Sequence, residues 1–582
     1  MKRFSYLFMA GLMTLGLWSC SDDADINAGG ENEISGDVYM SFKLELPTAG
    51  RSATDNVGDN GGSTNSNATP DSEVGQESEN TVKRFDVVLV VKDASKPSGY
   101  KYIAQTSKTE STAQNIHTNE YTIIFQSQAL EDYEGQSVIA FVFCNHPGDT
   151  NYKGIVEGTN PQCVLPNKEA FYKLSAEDGF WMSNSKIPAE VELKNLDQTS
   201  EAAPLTLGTV EVERTVARFD FKHKEAGSID LNSDGTNDKD VYVLEETEGN
   251  PSVVVQLAQM ALLNVSNQFN YVRHTDNPAS AQNAYDAASV TICGVEKNTN
   301  FVVDSDFEQK VANDYLPNNF LNYWDEGAGN KDVETPIHFA SLWNTVSSTA
   351  SNIASLATPD SWGDESNADN AGYMIWKYAT ENTLPSVVKQ IKSLSTAVIF
   401  KGYLYDLTTG TGNRLLGDKA YVLNNRLYGS WSQVGALVAT VTDTSDEDLI
   451  ALKAAYNAAG GAGAPEPNLS TASEYGFTVY EKDKNNTIDN PDDDYWPVYY
   501  YYINKHNDNG QAEVMAPMEF AVVRNNVYKL AVTNISKYGH PGDPAGDPDP
   551  EIPSEPDESK NVYFQVSVKV VPWTVRVNNI EF

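Results

Sequence analysis

The chain has 582 residues, enough for more than one domain with a substantial core. Its net charge of −40 excludes nucleic acid as a partner, because contact with phosphates requires a basic surface. Apart from Cys20, the cysteines are Cys144, Cys163 and Cys293, too few and too widely spaced for a disulfide framework or a zinc site. A bond between Cys144 and Cys163 is one possibility, and small buried thiols are the more common state.

The N-terminus has the pattern of a secretory signal. Lys2 and Arg3 precede an apolar run over residues 4–17 that is too short to span a bilayer as a stable helix. Cys20 stands where a bacterial lipoprotein signal is cut and its thiol is acylated, which predicts a signal peptide over 1–19. The alternative is an ordinary signal peptide followed by an incidental cysteine. Acidic residues directly after Cys20 are typical of surface-exposed lipoproteins.

A strongly alternating strand follows at residues 38–46. Its apolar side chains at Val38, Met40, Phe42, Leu44 and Leu46 share one face. Arg51-Ser52 then lies among small, polar residues, where a protease has access. This order predicts a propeptide over 20–51 whose strand is cut away, which would leave a groove for a strand from a neighbour. Lys83-Arg84 is a rival cleavage site, but it adjoins a buried strand.

The rest of the chain is predicted to be all-β with minor helices. Residues 52–80 contain almost no large apolar side chain and should be flexible. Short strands with long polar connections predict a β-sandwich over 52–224 and a second over 225–538 that carries long insertions. The predicted strands are 85–91, 121–125, 137–143, 190–193, 210–222, 241–244, 253–265, 396–404, 495–503 and 520–535. A helix capped by Ser445 should run to Ala459.

The C-terminus combines a spacer with a strongly patterned strand. Residues 539–560 are rich in Asp and Pro, which is typical of an extended, solvated spacer. Within 561–582, two runs of apolar side chains share a face: Val562, Phe564, Val566, Val568 and Val570, and then Trp573, Val575 and Val577. This strand either reaches away from its own domain or folds back onto its own sheet, and the pattern favours neither.

Several segments resemble the fimbrillins of type V pili, and most closely the structural subunit of the minor (Mfa-type) fimbria. The segments are 212–218 (VERTVAR), 378–382 (YATEN) followed by 397–402 (AVIFKG), 523–528 (VRNNVY) and 566–573 (VSVKVVPW). The resemblance extends over most of the chain, but the insertions between 275 and 375 match no motif.

The resemblance implies two tandem transthyretin-like β-sandwich domains and export as a palmitoylated lipoprotein at the outer membrane. It also implies cleavage between Arg51 and Ser52 by a trypsin-like surface protease, and polymerisation in which 562–582 of one subunit enters the groove left by 38–46 of another. The expected product is a surface fimbria that supports adhesion and biofilm formation. Its expected partners are further copies of the chain, tip, accessory and anchor pilins, and host or bacterial surface ligands.

One loop has the pattern of a calcium site. Oxygen-bearing side chains recur at alternate positions: Asp230, Asn232, Asp234, Thr236 and Asp238. Val241 stands where a bidentate Glu is expected, so a polar loop between strands is the alternative, and no other cofactor is predicted.

No catalytic motif is present, so the chain is not expected to be an enzyme. Two alternatives to a shaft subunit remain: a tip or accessory adhesive pilin, and a lipid-anchored surface glycan-binding protein.

Overall fold

The structure is a computed structural model of the chain. It describes residues 36–46, 73–75, 78–115, 120–165, 174, 179–231, 235–276, 287–294, 296, 300–307, 310, 320–322, 344–345, 373–384, 390, 394–408, 418–442, 445–468, 471–482, 496–507, 515–541, 557 and 564–574. Of these, residues 73–74, 78, 111–115, 320–322, 344–345 and 564–574 are described as backbone only.

Strands dominate these residues, which confirms the all-β prediction. The strands before residue 224 are β1 Asp37–Glu45, β2 Glu73–Val74, β3 Thr81–Lys92, β4 Tyr100–Asn115, β5 Glu120–Gln126, β6 Ser137–Cys144, β7 Gln162–Val164, β8 Met182–Asn184, β9 Val191–Glu192, β10 Leu205–Arg214 and β11 Val216–Lys222. Those that follow are β12 Val241–Thr247, β13 Asn250–Leu263, β14 Val265–Ser266, β15 Gln268–Asn270, β16 His274–Thr275, β17 Thr291–Ile292, β18 Val302–Val303, β19 Phe320–Asn322, β20 Asn344–Thr345, β21 Tyr373–Thr380, β22 Ala397–Asp406, β23 Lys419–Leu423, β24 Arg426–Tyr428, β25 Thr478–Glu481, β26 Trp496–Ile503, β27 Asn526–Ile535 and β28 Phe564–Thr574. The helices are α1 Tyr152–Glu157, α2 Trp431–Thr440 and α3 Glu447–Ala458.

The largest sheet has eight strands and contains β1. Its order is β4-β3-β6-β8-β10-β1-β5, with β9 beside β6. The buried run that follows Thr81 forms β3, which pairs antiparallel with β4 and β6. Its apolar residues at Phe85, Val87 and Leu89 are fully buried, as a near-continuous apolar strand requires.

Two five-stranded sheets are built from strands that follow residue 215, with β2 as the one exception. One has the order β2-β28-β27-β11-β21, and the other is β12-β13-β22-β26 with β20 beside β13. The chain passes from the first sheet to these sheets at Thr215, between β10 and β11. The predicted strand over 210–222 is therefore two strands in different sheets, and sheet membership changes ahead of the predicted domain boundary at 224.

The segment of sequence between β22 and β26 forms a small layer of two helices and three strands. Strands β24-β23-β25 form its sheet, and α2 and α3 pack on it around Tyr421, Trp431 and Leu452. The predicted helix is present, but Asp446 caps it instead of Ser445: the Asp446 carboxylate accepts a hydrogen bond from Leu449 N at 2.8 Å.

Three further expectations differ from the structure. β27 begins at Asn526 instead of Phe520, because Asn525 adopts a left-handed turn with φ of 58°. Glu79 and Asn80, at the end of the predicted flexible segment, are buried. Asp557, inside the predicted solvated spacer, is also buried and donates its backbone N–H to Gln390 O at 3.0 Å.

Cys144, Cys163 and Cys293 are free thiols. Burial raises the pKa of the Cys144 thiol, which keeps it protonated and unreactive.

Among the described residues, no helix is both long and apolar enough to cross a membrane.

Candidate functional site

Strand β1 occupies an internal position in the eight-stranded sheet. It runs parallel to β10, with Met40 opposite Leu205, and antiparallel to β5, with Met40 opposite Ile123. Both of its edges therefore carry main-chain hydrogen bonds. Its removal would leave a gap one strand wide between β10 and β5.

The apolar face of β1 is part of the main core. Val38, Met40, Phe42, Leu44 and Leu46 are each no more than 2% exposed, as the alternating pattern predicts. The Phe42 ring lies 5.4 Å from the Phe85 ring, edge to face, and 5.6 Å from the Tyr121 ring. Removal of β1 would expose the side chains that now cover this face.

Few side-chain hydrogen bonds fix β1 in its position. Ser41 Oγ donates to Glu120 Oε1 at 2.8 Å, and the Tyr39 backbone N–H donates to Thr199 Oγ1 at 3.0 Å. A bulge in β10 interrupts the pairing beside Phe42, where Gly208 has φ of +78°. Main-chain bonds and apolar burial therefore dominate, and another strand with the same spacing of apolar side chains could supply both.

Of the two candidate cleavage sites, the structure describes only Lys83-Arg84. Cys20, Arg51 and Ser52 lie outside the described residues. Lys83 and Arg84 lie in β3, where their backbone N–H groups both donate to Asn145 Oδ1, at 2.9 and 3.3 Å. A protease requires an extended and accessible backbone, so the paired backbone here disfavours the rival site.

The C-terminal strand β28 lies on its own chain. It pairs antiparallel with β27, with Ala531 opposite Ser567 and Lys529 opposite Lys569. Within the described part of the chain, its other edge meets only the two residues of β2. β28 is thus close to the edge of its sheet. Of the two arrangements that its sequence allows, it has the one in which the strand folds back onto its own sheet. Its predicted donor residues at positions 564, 566, 568, 570 and 573 fall in this strand, and Val562, Val575 and Val577 lie outside the described residues.

The calcium loop is described only in part. It connects β11 to β12, and Asn232 and Asp234 lie outside the described residues. The Asp230 carboxylate accepts a hydrogen bond from Gly235 N at 2.8 Å, and the Asp238 carboxylate accepts one from Leu231 N at 2.7 Å. Among the residues described, no group of three or more potential ligands is arranged to hold a metal. Calcium therefore stays a prediction.

Sequence reasoning missed a buried ionic cluster at the passage from β10 to β11. The Arg218 guanidinium pairs with Glu79 Oε2 at 3.0 Å and with both oxygens of Asp220 at 2.8 Å. The hydroxyl of Tyr378 donates to Glu79 Oε1 at 2.7 Å. Burial lowers the pKa of Arg214 in the same cluster to about 9.

The cluster joins three of the sequence motifs that carry the resemblance. Arg214 and Arg218 come from the first, Tyr378 from the second, and Asn525, whose Oδ1 accepts a bond from Arg214 Nη1 at 3.1 Å, from the third. Nearby, Arg524 pairs with Glu381 at 2.6 Å. The motifs therefore mark the contact between the two groups of sheets. A signal was present in the sequence, since charged residues interrupt otherwise apolar strands at these positions.

This geometry defines an all-β chain whose first strand, β1, is internal to its largest sheet. Residues 497–579 match the family model described as Major fimbrial subunit protein type IV, Fimbrillin, C-terminal. The matched range contains β27, β28 and all but the first residue of β26, and the predicted resemblance to fimbrillins is confirmed over this range.

Solved structures similar to the chain include a fimbrilin from Porphyromonas gingivalis W83, at 14% identity over 93% of this chain and 99% of that one, with a TM-score of 0.35. A putative cell adhesion protein from Bacteroides eggerthii has 11% identity over 94% and 99%, with a TM-score of 0.34. The tip fimbrial protein Mfa3 from Porphyromonas gingivalis, with C-terminal truncation, has 8% identity over 92% and 100%, with a TM-score of 0.32. A comparison with curated proteins gives no significant match.

Proposed function

We propose that the chain is the shaft subunit of a surface fimbria and that it polymerises by strand exchange. The observation that carries this proposal is the internal position of β1, which pairs on both edges and buries its whole apolar face. The fimbrillin domain over 497–579 supports it. In the proposed route, the lipoprotein precursor is anchored through Cys20 and cut after Arg51, and β1 then leaves its slot.

The incoming strand is β28 of a neighbouring copy. Its sequence repeats the apolar alternation of β1, so the same main-chain bonds and pockets can hold it. Burying five such side chains contributes roughly 8–15 kcal/mol before ordering costs. Because the slot and the donor belong to different sheets of the chain, the contact is head-to-tail, and a head-to-tail contact that does not close gives a filament. Tip, accessory and anchor pilins would end the filament.

The exchange requires β28 to leave β27, and a reversible lock tests this step. Ala531 and Ser567 are directly opposite in register, within the usual Cα separation of a disulfide. In the Ala531→Cys, Ser567→Cys variant, the oxidised chain should be cleaved normally but form no filaments. Addition of a reductant should restore assembly, and each single variant is the matched control. Filaments of normal length from the oxidised double variant would rule out β28 as the donor.

Cleavage after Arg51 is the expected trigger for assembly. An Arg51→Ala chain should keep β1 and remain monomeric, because a strand still joined to the chain competes with any donor at very high effective concentration. The measurement is the N-terminal sequence and the length of particles sheared from cells. A Lys83→Gln, Arg84→Gln chain is the control and should be processed at Ser52 as usual. Filaments of the Arg51→Ala chain that begin at residue 85 would instead identify Lys83-Arg84 as the cleavage site.

A further inference from the structure

Lys310 is a fully buried lysine that strand exchange does not use. Its Nζ lies 2.7 Å from Asp304 Oδ2 and 2.8 Å from Asp306 Oδ1, and all three side chains are 0% exposed. The ammonium also donates to Asn382 Oδ1 at 2.9 Å and to Thr383 O at 3.0 Å. A lysine, a carboxyl pair and a side-chain amide therefore converge in a site that excludes water.

The Asn382 amide is held rigidly against this lysine. Its Nδ2 donates to Leu394 O at 2.8 Å and to Thr396 Oγ1 at 3.0 Å, so the Oδ1 atom faces Lys310. The backbone of Asn382 also exchanges hydrogen bonds with Val522 in both directions. Since the carbonyl bond is about 1.2 Å long, Lys310 Nζ lies within roughly 4 Å of Asn382 Cγ. A shift of less than about 1 Å would bring the two atoms to a reactive distance.

We propose that Lys310 and Asn382 form an intramolecular isopeptide bond, with Asp304 as the proton carrier. Asp304 takes a proton from Lys310 Nζ, and the neutral amine attacks Asn382 Cγ to form the Nζ–Cγ bond. Asp304 then gives that proton to Nδ2 and accepts a second proton from Nζ. The Cγ–Nδ2 bond breaks, ammonia leaves, and the carboxyl of Asp304 ends protonated.

The environment favours each part of this step. Burial, and then the nearby Asp306 carboxylate, raises the pKa of Asp304 well above its ordinary value, which makes it an effective base. Burial alone would lower the pKa of Lys310, but the two carboxylates outweigh it and raise that pKa, so a base is needed to free the amine. The reaction replaces a buried ion pair with a neutral amide and a neutral carboxyl, which reduces the desolvation cost of burying charged groups.

The bond would join two points that are 72 residues apart in sequence. Lys310 follows β18, and Asn382 follows β21, whose Tyr378 belongs to the buried ionic cluster. A covalent link would therefore fasten the segment between these strands to the C-terminal sheets, and it would persist under a pulling force that separates hydrogen-bonded strands.

Mass spectrometry of the full chain tests the proposal directly. We expect the chain to be lighter than its sequence by one molecule of ammonia, and a tryptic digest to contain a branched peptide in which Lys310 is joined to Asn382. A linear peptide cut after Lys310 and a full-sequence mass would overturn the proposal. A loss of one water with Lys310 joined to Asp304 or Asp306 would overturn Asn382 as the acceptor.

Substitutions at the site distinguish the closeness of Lys310 and Asn382 from the proton transfer that Asp304 would perform. Asn382→Asp should yield the same linked product by loss of water, and Lys310→Arg should remain unlinked, whereas Lys401→Arg, at another well-buried lysine, should link normally. Asp304→Asn keeps both partners but removes the proton carrier, which should slow linkage by about 10²–10⁴-fold. Full linkage in freshly made Asp304→Asn chain would overturn the role of Asp304.

Discussion

Replacement of Phe42 by alanine should destabilise the uncleaved precursor by about 3–5 kcal/mol and leave the assembled filament unchanged. Phe42 is 1% exposed and packs against the rings of Phe85 and Tyr121, so its truncation leaves a cavity in the main core. In the proposed filament, β1 has left the subunit, and the donor strand packs against the rings of Phe85 and Tyr121 in its place. Chemical denaturation of the precursor and of sheared filaments, followed by tryptophan fluorescence, measures both effects.

Phe85→Ala is the matched control for this experiment. Phe85 is fully buried, touches Phe42 from the other side and remains in the subunit after cleavage. Its truncation should therefore weaken the precursor and the filament alike. Phe42→Ala should also speed assembly after cleavage, because the departing strand is held less tightly. If Phe42→Ala weakens filaments as much as Phe85→Ala does, β1 stays in the mature subunit and the exchange mechanism is wrong.

The first strand could be predicted from sequence because its information is local. An alternation of five apolar residues over 38–46 can satisfy only a strand with one buried face, and the structure buries all five. The same holds for β3, β6 and β22, because each contains a run of apolar residues that stands out in an otherwise polar sequence. What the pattern left open was which neighbours β1 would have, since pairing partners depend on residues far along the chain.

Failures occurred where long-range contacts decide the local state. Glu79 looks like a residue of a polar linker, but its partner Arg218 is 139 positions away, and their pairing buries the linker's end. Asp557 lies among prolines and acids, yet its carboxylate accepts a hydrogen bond from Ser395. At 210–222, an alternating pattern of apolar residues concealed the change of sheet at Thr215, because both strands bury the same types of side chain. Local pattern carries no information about such partners.

The buried ionic cluster gives the second large effect. Arg218→Met should destabilise the chain by about 3–5 kcal/mol, because it leaves the Glu79 and Asp220 carboxylates buried without their cation. The pair of Lys186 and Glu211 is the matched control, because the Lys186 side chain is 55% exposed: Lys186→Met should change the free energy of unfolding by less than about 1 kcal/mol. Chemical denaturation of each purified chain, followed by tryptophan fluorescence, measures the difference.

A third variant distinguishes lost pairing from lost packing. When Asp220→Asn is added to Arg218→Met, the Arg214 guanidinium and the Glu79 carboxylate again balance each other, and a substantial part of the lost stability should return. If this double variant is no more stable than Arg218→Met alone, the guanidinium of Arg218 acts mainly by filling space. Because Glu79 precedes β3, Arg218 lies in β11 and Tyr378 lies in β21, recovery would show that the segments 212–218 and 378–382 preserve a charge-balanced contact between the two groups of sheets. Under the proposed mechanism, such a contact would hold the sheet that receives a strand next to the sheet whose β28 is donated.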